Sequence, residues 1–194
     1  MRSGIPQWAV LTVCAALLSA CAGAPSHEEI QATFDAGLKV YDAGDYKAAY
    51  KTWSGIEEFD LAALRNTALM LRKGQGVDKD PKAALQKMAR AADLGLVTAQ
   101  ADLGDMLING EAGPPDVPDA IPWLARAADG GHPLAAMSLA KIYDEGKDVP
   151  RDLAKACPLY QQAADARVDG AAARLTAVCP APATPSSTAA SAHH

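Results

Sequence analysis

Apolar and polar positions repeat with a step of 36 residues through the middle of the chain. Ala63, Ala99, Ala135 and Ala171 share one register, and Leu85, Ile121 and Cys157 share another. The pairs Ala91-Ala92, Ala127-Ala128 and Ala163-Ala164 keep the same step, as do Gly74, Gly110 and Gly146, and Asp80, Asp116 and Asp152. Each unit holds two stretches whose apolar residues recur every three or four positions, the period of an amphipathic helix. Such a helical hairpin cannot bury its apolar face alone and must stack on a neighbour. The pattern predicts an all-α fold, an α-solenoid of stacked antiparallel helical hairpins, with about four repeats and a C-terminal capping helix.

The units are placed at 63–98, 99–134 and 135–170, with a cap at 171–179, after a degenerate unit over 30–62. In that first unit Phe34, Leu38 and Tyr41 form one stripe, and Ala48, Ala49 and Trp53 belong to the second helix. The punctuation has local causes. Gly74, Gly110 and Gly146 follow apolar stripes, where a helix end favours a left-handed residue. Asp80-Pro81 is a helix start, with an N-cap carboxylate followed by proline. Gly95 and Gly131 end second helices, whereas Arg167 takes that place in the last unit and predicts a different turn. Pro122 and Pro158 lack an amide proton, which predicts second helices that start late or kink, with Asp119 as the cap in unit three.

The chain opens with Arg2 and then an apolar stretch from Trp8 to Leu18, too short for a membrane-spanning helix of roughly 20 residues and suited to an export signal. Leu18-Ser19-Ala20-Cys21 resembles a bacterial lipobox. It implies a signal peptide over 1–20, lipidation of Cys21 and a lipidated tether over 21–29. The chain is then expected to be exported and anchored facing the periplasm, and Ala22 favours the outer membrane. Of four cysteines, Cys14 leaves with the signal and Cys21 is acylated. Cys157 and Cys179 remain, in a compartment that permits disulfides. They flank the expected last turn at similar distances, so antiparallel helices bring them level. The pair is read as a disulfide, with two free thiols in a packed core as the alternative. The Pro-, Ser-, Thr- and Ala-rich segment 180–194 has nothing to bury and is read as a disordered tail.

Ala63-Leu-Arg-Asn-Thr-Ala-Leu-Met-Leu-Arg-Lys-Gly74, Gly76-Val77-Asp78-Lys79-Asp80-Pro81 and Ala91-Ala92-Asp93-Leu94-Gly95 resemble the Sel1-like repeats, relatives of the tetratricopeptide repeats. Ala135 to Gly146, with Val149, Asp152 and Ala163-Ala164, resembles them again. The resemblance covers 63–178 well and 30–60 loosely. Thr67 departs from it, standing where later units have Leu103 and Leu139. Ala112-Gly113-Pro114-Pro115 departs too, replacing the usual Gly-x-Gly-Val loop.

Little in the sequence points to catalysis. Ser138 and Lys141 form a Ser-x-x-Lys one helical turn apart, the spacing of penicillin-recognising enzymes. Some cysteine-rich relatives of the resembled family are associated with β-lactam binding. The Ser-Asp-Asn and Lys-Thr-Gly partners are missing, so the chain is read as not an enzyme. No cofactor and no metal site is expected. His132 has no ligand cluster around it and reads as a polar residue between helices. Asp78 and Asp80 lack the rest of a calcium loop and read as capping. Glu57, Glu58 and Asp60 read as a solvated face, and Trp53 and Trp123 as packing residues. A net charge of −5 argues against nucleic acid.

The resemblance implies that the first helix of each hairpin lines the concave side. At i, i+3 and i+7 these helices carry Asn66, Leu69 and Lys73, then Asp102, Asp105 and Asn109, then Ser138, Lys141 and Glu145. Stacking aligns the nine as a ladder of mixed charge, either an ordinary solvated surface or a groove for an extended peptide or partner helix. The favoured function is a lipid-anchored periplasmic adaptor holding an envelope protein or peptide segment. The alternatives are a cell-wall or β-lactam-binding hydrolase and a purely structural envelope lipoprotein. The pattern does not set the oligomeric state.

Overall fold

The computed structural model describes residues 24–179. They form nine α-helices and no strand. The first helices of successive hairpins are α1 (His27–Asp42), α3 (Leu61–Lys73), α5 (Val97–Ile108), α7 (Pro133–Glu145) and α9 (Ala171–Val178). The second helices are α2 (Tyr46–Ser54), α4 (Pro81–Asp93), α6 (Val117–Asp129) and α8 (Leu153–Asp165). Each helix packs mainly on the helices before and after it, giving the α-solenoid that the repeat predicts. The signal segment, Cys14, Cys21, Ala22 and the 180–194 tail lie outside the described residues.

Carboxylates set most helix starts. Asp45, Asp60, Asp80, Asp116 and Asp152 each accept the main-chain amide three residues ahead, satisfying a donor that the first turn leaves free. Asp80 and its equivalents are therefore caps, as the Asp-Pro signal implied. α1 begins inside the segment read as tether, because Ser26 and Glu29 form a reciprocal capping box.

Three local readings need correction. Pro122 and Pro158 neither delay nor shorten their helices. α6 and α8 begin right after Asp116 and Asp152 and have 13 residues each, as α4 does. Both prolines are exposed, so the carbonyls left without an amide partner lie on the solvent side. The cap of α6 is Asp116, not Asp119, whose own amide donates to it at 3.1 Å. Arg167 does not change its turn. It adopts φ 60°, and the Val168 amide reaches the Ala163 carbonyl as Leu96 and His132 reach theirs after Gly95 and Gly131.

The unusual third-unit loop closes like the second. Glu111 donates to the Met106 carbonyl and Asp116 to that of Leu107, matching Gln75 on Met70 and Asp80 on Leu71. The two prolines are thus accommodated between fixed main-chain anchors.

The core is a row of four clusters, one for each pair of neighbouring units. Small residues let the helices approach. A Cβ added to Gly104 on α5 falls 2.6 Å from Leu124 Cδ2 on α6. Trp53 is 2% exposed, packs on Phe34 and Tyr41 and donates its indole N–H to the Phe34 carbonyl. Thr67, buried where later units have leucine, has its hydroxyl within hydrogen-bond distance of Glu57 at 2.8 Å and of the Leu64 carbonyl at 2.9 Å, so its one proton goes to either acceptor.

The C-terminal end is tied by a network and a covalent bond. The Asp144 side chain is fully buried and accepts hydrogen bonds from Arg151 at 3.1 Å, Tyr160 at 3.1 Å and Arg174 at 2.6 Å. Cys157 on α8 is disulfide-bonded to Cys179 after α9, with Cα atoms 5.7 Å apart. No described helix is long and apolar enough to cross a membrane.

Candidate partner-binding face

The first helices present the nine ladder residues unequally. Asn66, Leu69 and Lys73 on α3 join Leu38, Tyr41 and Asp42 on α1 around a depression of about 200 Å³. Asp105 and Asn109 on α5 face Ser138, Lys141 and Glu145 on α7 across a second depression of about 310 Å³. Asp102 lies between them and is taken by Arg65, whose Nε donates to it at 2.6 Å. That ion pair joins the first helices of two successive units.

Most charged side chains around Asp105 are committed to one another, and Lys141 on the facing helix forms no ion pair among the described residues. Arg72 forms a bidentate pair with Glu111, and Arg65 holds Asp102. His132 caps α7, its Nδ1 accepting the Ala135 amide at 3.2 Å. Glu145 is paired with Lys147 at 2.8 Å. The half-buried Asp105 carboxylate has no hydrogen bond or ion pair among the described residues. Burial first, and then the neighbouring Asp102 carboxylate, push its carboxyl above the usual range, with Arg72 and His132 opposing. Elsewhere a surrounding network fixes the charge. Burial works against ionisation of Asp144, but hydrogen bonds from Arg174, Arg151 and Tyr160 outweigh it and hold the carboxyl below its ordinary range.

Ser138 and Lys141 share the second depression, yet no hydrogen bond joins their side chains among the described residues. No cluster of three or more metal-ligating side chains occurs among the described residues. Of the acidic group read as a solvated face, Glu58 is exposed, while Glu57 and Asp60 are half-buried and engaged. Asp60 caps α3, Glu57 binds Lys87 and Thr67, and Glu58 takes a bidentate pair from Arg90. These ties link the α2–α3 turn to α4. The guanidinium of Arg126 stacks 4.7 Å from the centre of the Trp123 ring.

The family model for the Sel1 repeat matches residues 61–96, 97–132 and 133–167, more than half of the chain. The chain belongs to the Sel1-repeat family. A Sel1 repeat protein from Oxalobacter formigenes is 31% identical with TM-score 0.68, the match covering 73% of this chain and 58% of that one. The protective antigen c5321 of uropathogenic Escherichia coli, which displays an SLR fold, is 24% identical with TM-score 0.70, covering 77% and 33%. Cysteine rich protein B of Helicobacter pylori shares the fold at 18% identity and TM-score 0.52, covering 65% and 96%. This chain thus spans little more than half of the first of these relatives and a third of the second. No curated protein matches it significantly. Sel1-repeat proteins are protein-interaction scaffolds and are generally non-enzymatic.

Proposed function

We propose that this Sel1-repeat protein is a lipid-anchored adaptor facing the periplasm, which holds an envelope protein against the face formed by its first helices. The observation that carries this reading is Asp105. A half-buried carboxylate without a partner costs folding free energy, and here it lines a depression between successive repeats. Stability given up at one point of a repeat surface is characteristic of a binding residue. The N-terminal lipobox supports the anchor, and Ala22 favours the outer membrane.

The test is photo-crosslinking in intact cells from positions 105 and 141, with mass spectrometry of the products. One dominant envelope protein is the expected product, its crosslink from position 141 lost on charge reversal of Asp105 and its crosslink from position 105 lost on charge reversal of Lys141. No product from either position overturns the assignment of this face.

A further inference from the structure

The two depressions on the first-helix face differ in chemistry. The α1–α3 depression is walled by Leu38, Tyr41, Leu69 and Met70, and Leu38 is 39% exposed. The α5–α7 depression holds the unpartnered Asp105. Arg65 and Arg72 already hold carboxylates of their own, so neither is free to neutralise it. Lys141 lines the same depression but lies beyond ion-pair distance. A partly desolvated carboxylate in this condition is satisfied best by a cationic donor that arrives with a ligand.

The side-chain amides of Asn66 and Asn109 also have no hydrogen-bond partner among the described residues. Each offers both a donor and an acceptor, the set that an extended main chain needs. A helical ligand pairs its own main chain and leaves these amides idle, so the face suits an extended segment better.

We infer that the first-helix face takes an extended segment of another protein, with a Lys or Arg side chain against Asp105 and an aliphatic or aromatic side chain in the Leu38–Tyr41–Leu69 depression. This inference rests on the first-helix face being the partner surface. At the spacing of about 10 Å typical of packed helices, two steps of the stack put the two depressions about 20 Å apart. An extended chain advances about 3.3 Å per residue, so the two anchor side chains fall about six residues apart.

The probe is a library of random 12-residue peptides displayed on phage and selected on the immobilised full chain. Recovered peptides should carry Lys or Arg five to seven residues from Leu, Ile, Phe or Tyr, within about one residue of the spacing expected for an extended chain. The strongest peptide should bind at least about tenfold more weakly to Asp105→Asn and to Leu38→Asp, a loss typical of an anchor residue. Both variants must keep the helical spectrum and melting temperature of the parent within a few degrees. Peptides that lose binding on Leu38→Asp but not on Asp105→Asn overturn the cation assignment and leave the partner face standing. Peptides indifferent to both variants overturn the partner face itself. Failure to recover any peptide overturns the extended-segment inference, while crosslinking from positions 105 and 141 judges the face separately.

Discussion

Arg174 on the last helix donates its Nε to the buried Asp144 carboxylate, 30 positions earlier on α7, at 2.6 Å. Tyr160 on α8 and Arg151 before it bind the same group, so one carboxylate joins three helices. The hydrogen bonds hold its carboxyl below the usual aspartate range. The depressed value belongs to the folded state, so Asp144 contributes stability above the unfolded value, lost as pH falls from about 4 through the folded value. Asp144→Ala should cost at least about 2 kcal/mol and remove that acid-dependent component. Melting curves between pH 2 and pH 7 measure both effects.

Asp105 predicts the opposite sign. Its carboxyl is pushed above the ordinary range by burial and by Asp102, so folding disfavours the ionised form. Stability linked to this group is fully present below the unfolded value and lost as pH rises through the folded one. Asp105→Asn should therefore raise stability at neutral pH by roughly 1 kcal/mol, a few degrees in melting temperature, while weakening partner capture. Thermal denaturation of the two proteins at pH 7 reads the gain.

Arg167 adopts a left-handed conformation with φ 60° at a position where the two preceding units have glycine. A side chain pays about 1 kcal/mol for this region, and glycine does not. Arg167→Gly should stabilise the chain by about that amount less the extra freedom of glycine when unfolded, a net gain of a few tenths. Urea unfolding midpoints resolve the difference, and a loss of stability would show that the Arg167 side chain makes up for its strained turn.

The Cys157–Cys179 bond closes a segment with sequence separation 22. A loop of this size restricts the unfolded chain by roughly 3 kcal/mol. Reduction, or the double substitution to serine, should lower the melting temperature, with the earliest protease cleavage falling between α8 and α9. Identical melting and cleavage with and without reductant would show that α9 stands on its noncovalent contacts alone.

Much of the fold was legible because its determinants are local. The step of 36 residues, the Asp caps and the left-handed glycines are each properties of a few adjacent residues. Pro122 misled because its effect depends on which side of the helix it occupies, and that side faces solvent. Arg167 misled because residue preference says glycine, while the bond from Val168 to Ala163 holds the turn regardless. The ties of Glu57 to Lys87 and of exposed Glu58 to Arg90 are not legible, because the partners lie 30 and 32 positions away. The spacing at i, i+3 and i+7 put Asp105, Asn109, Ser138, Lys141 and Glu145 together. It carried no sign that Arg72 would choose Glu111 and leave Asp105 alone, because that choice depends on how the third-unit loop closes.

The two ends of the stack are closed by different means. At α1 the closure is aromatic packing of Phe34 and Tyr41 on Trp53. At α9 it is a covalent bond together with a buried ionic network. Since each unit leans mainly on its neighbours, opening is directional. It begins at α1 and advances one unit at a time toward a last helix that the disulfide ties to α8 while oxidised. A pull on the N-terminus would peel the protein like a zip with a stitched end, and the last hairpin would be the final one to yield.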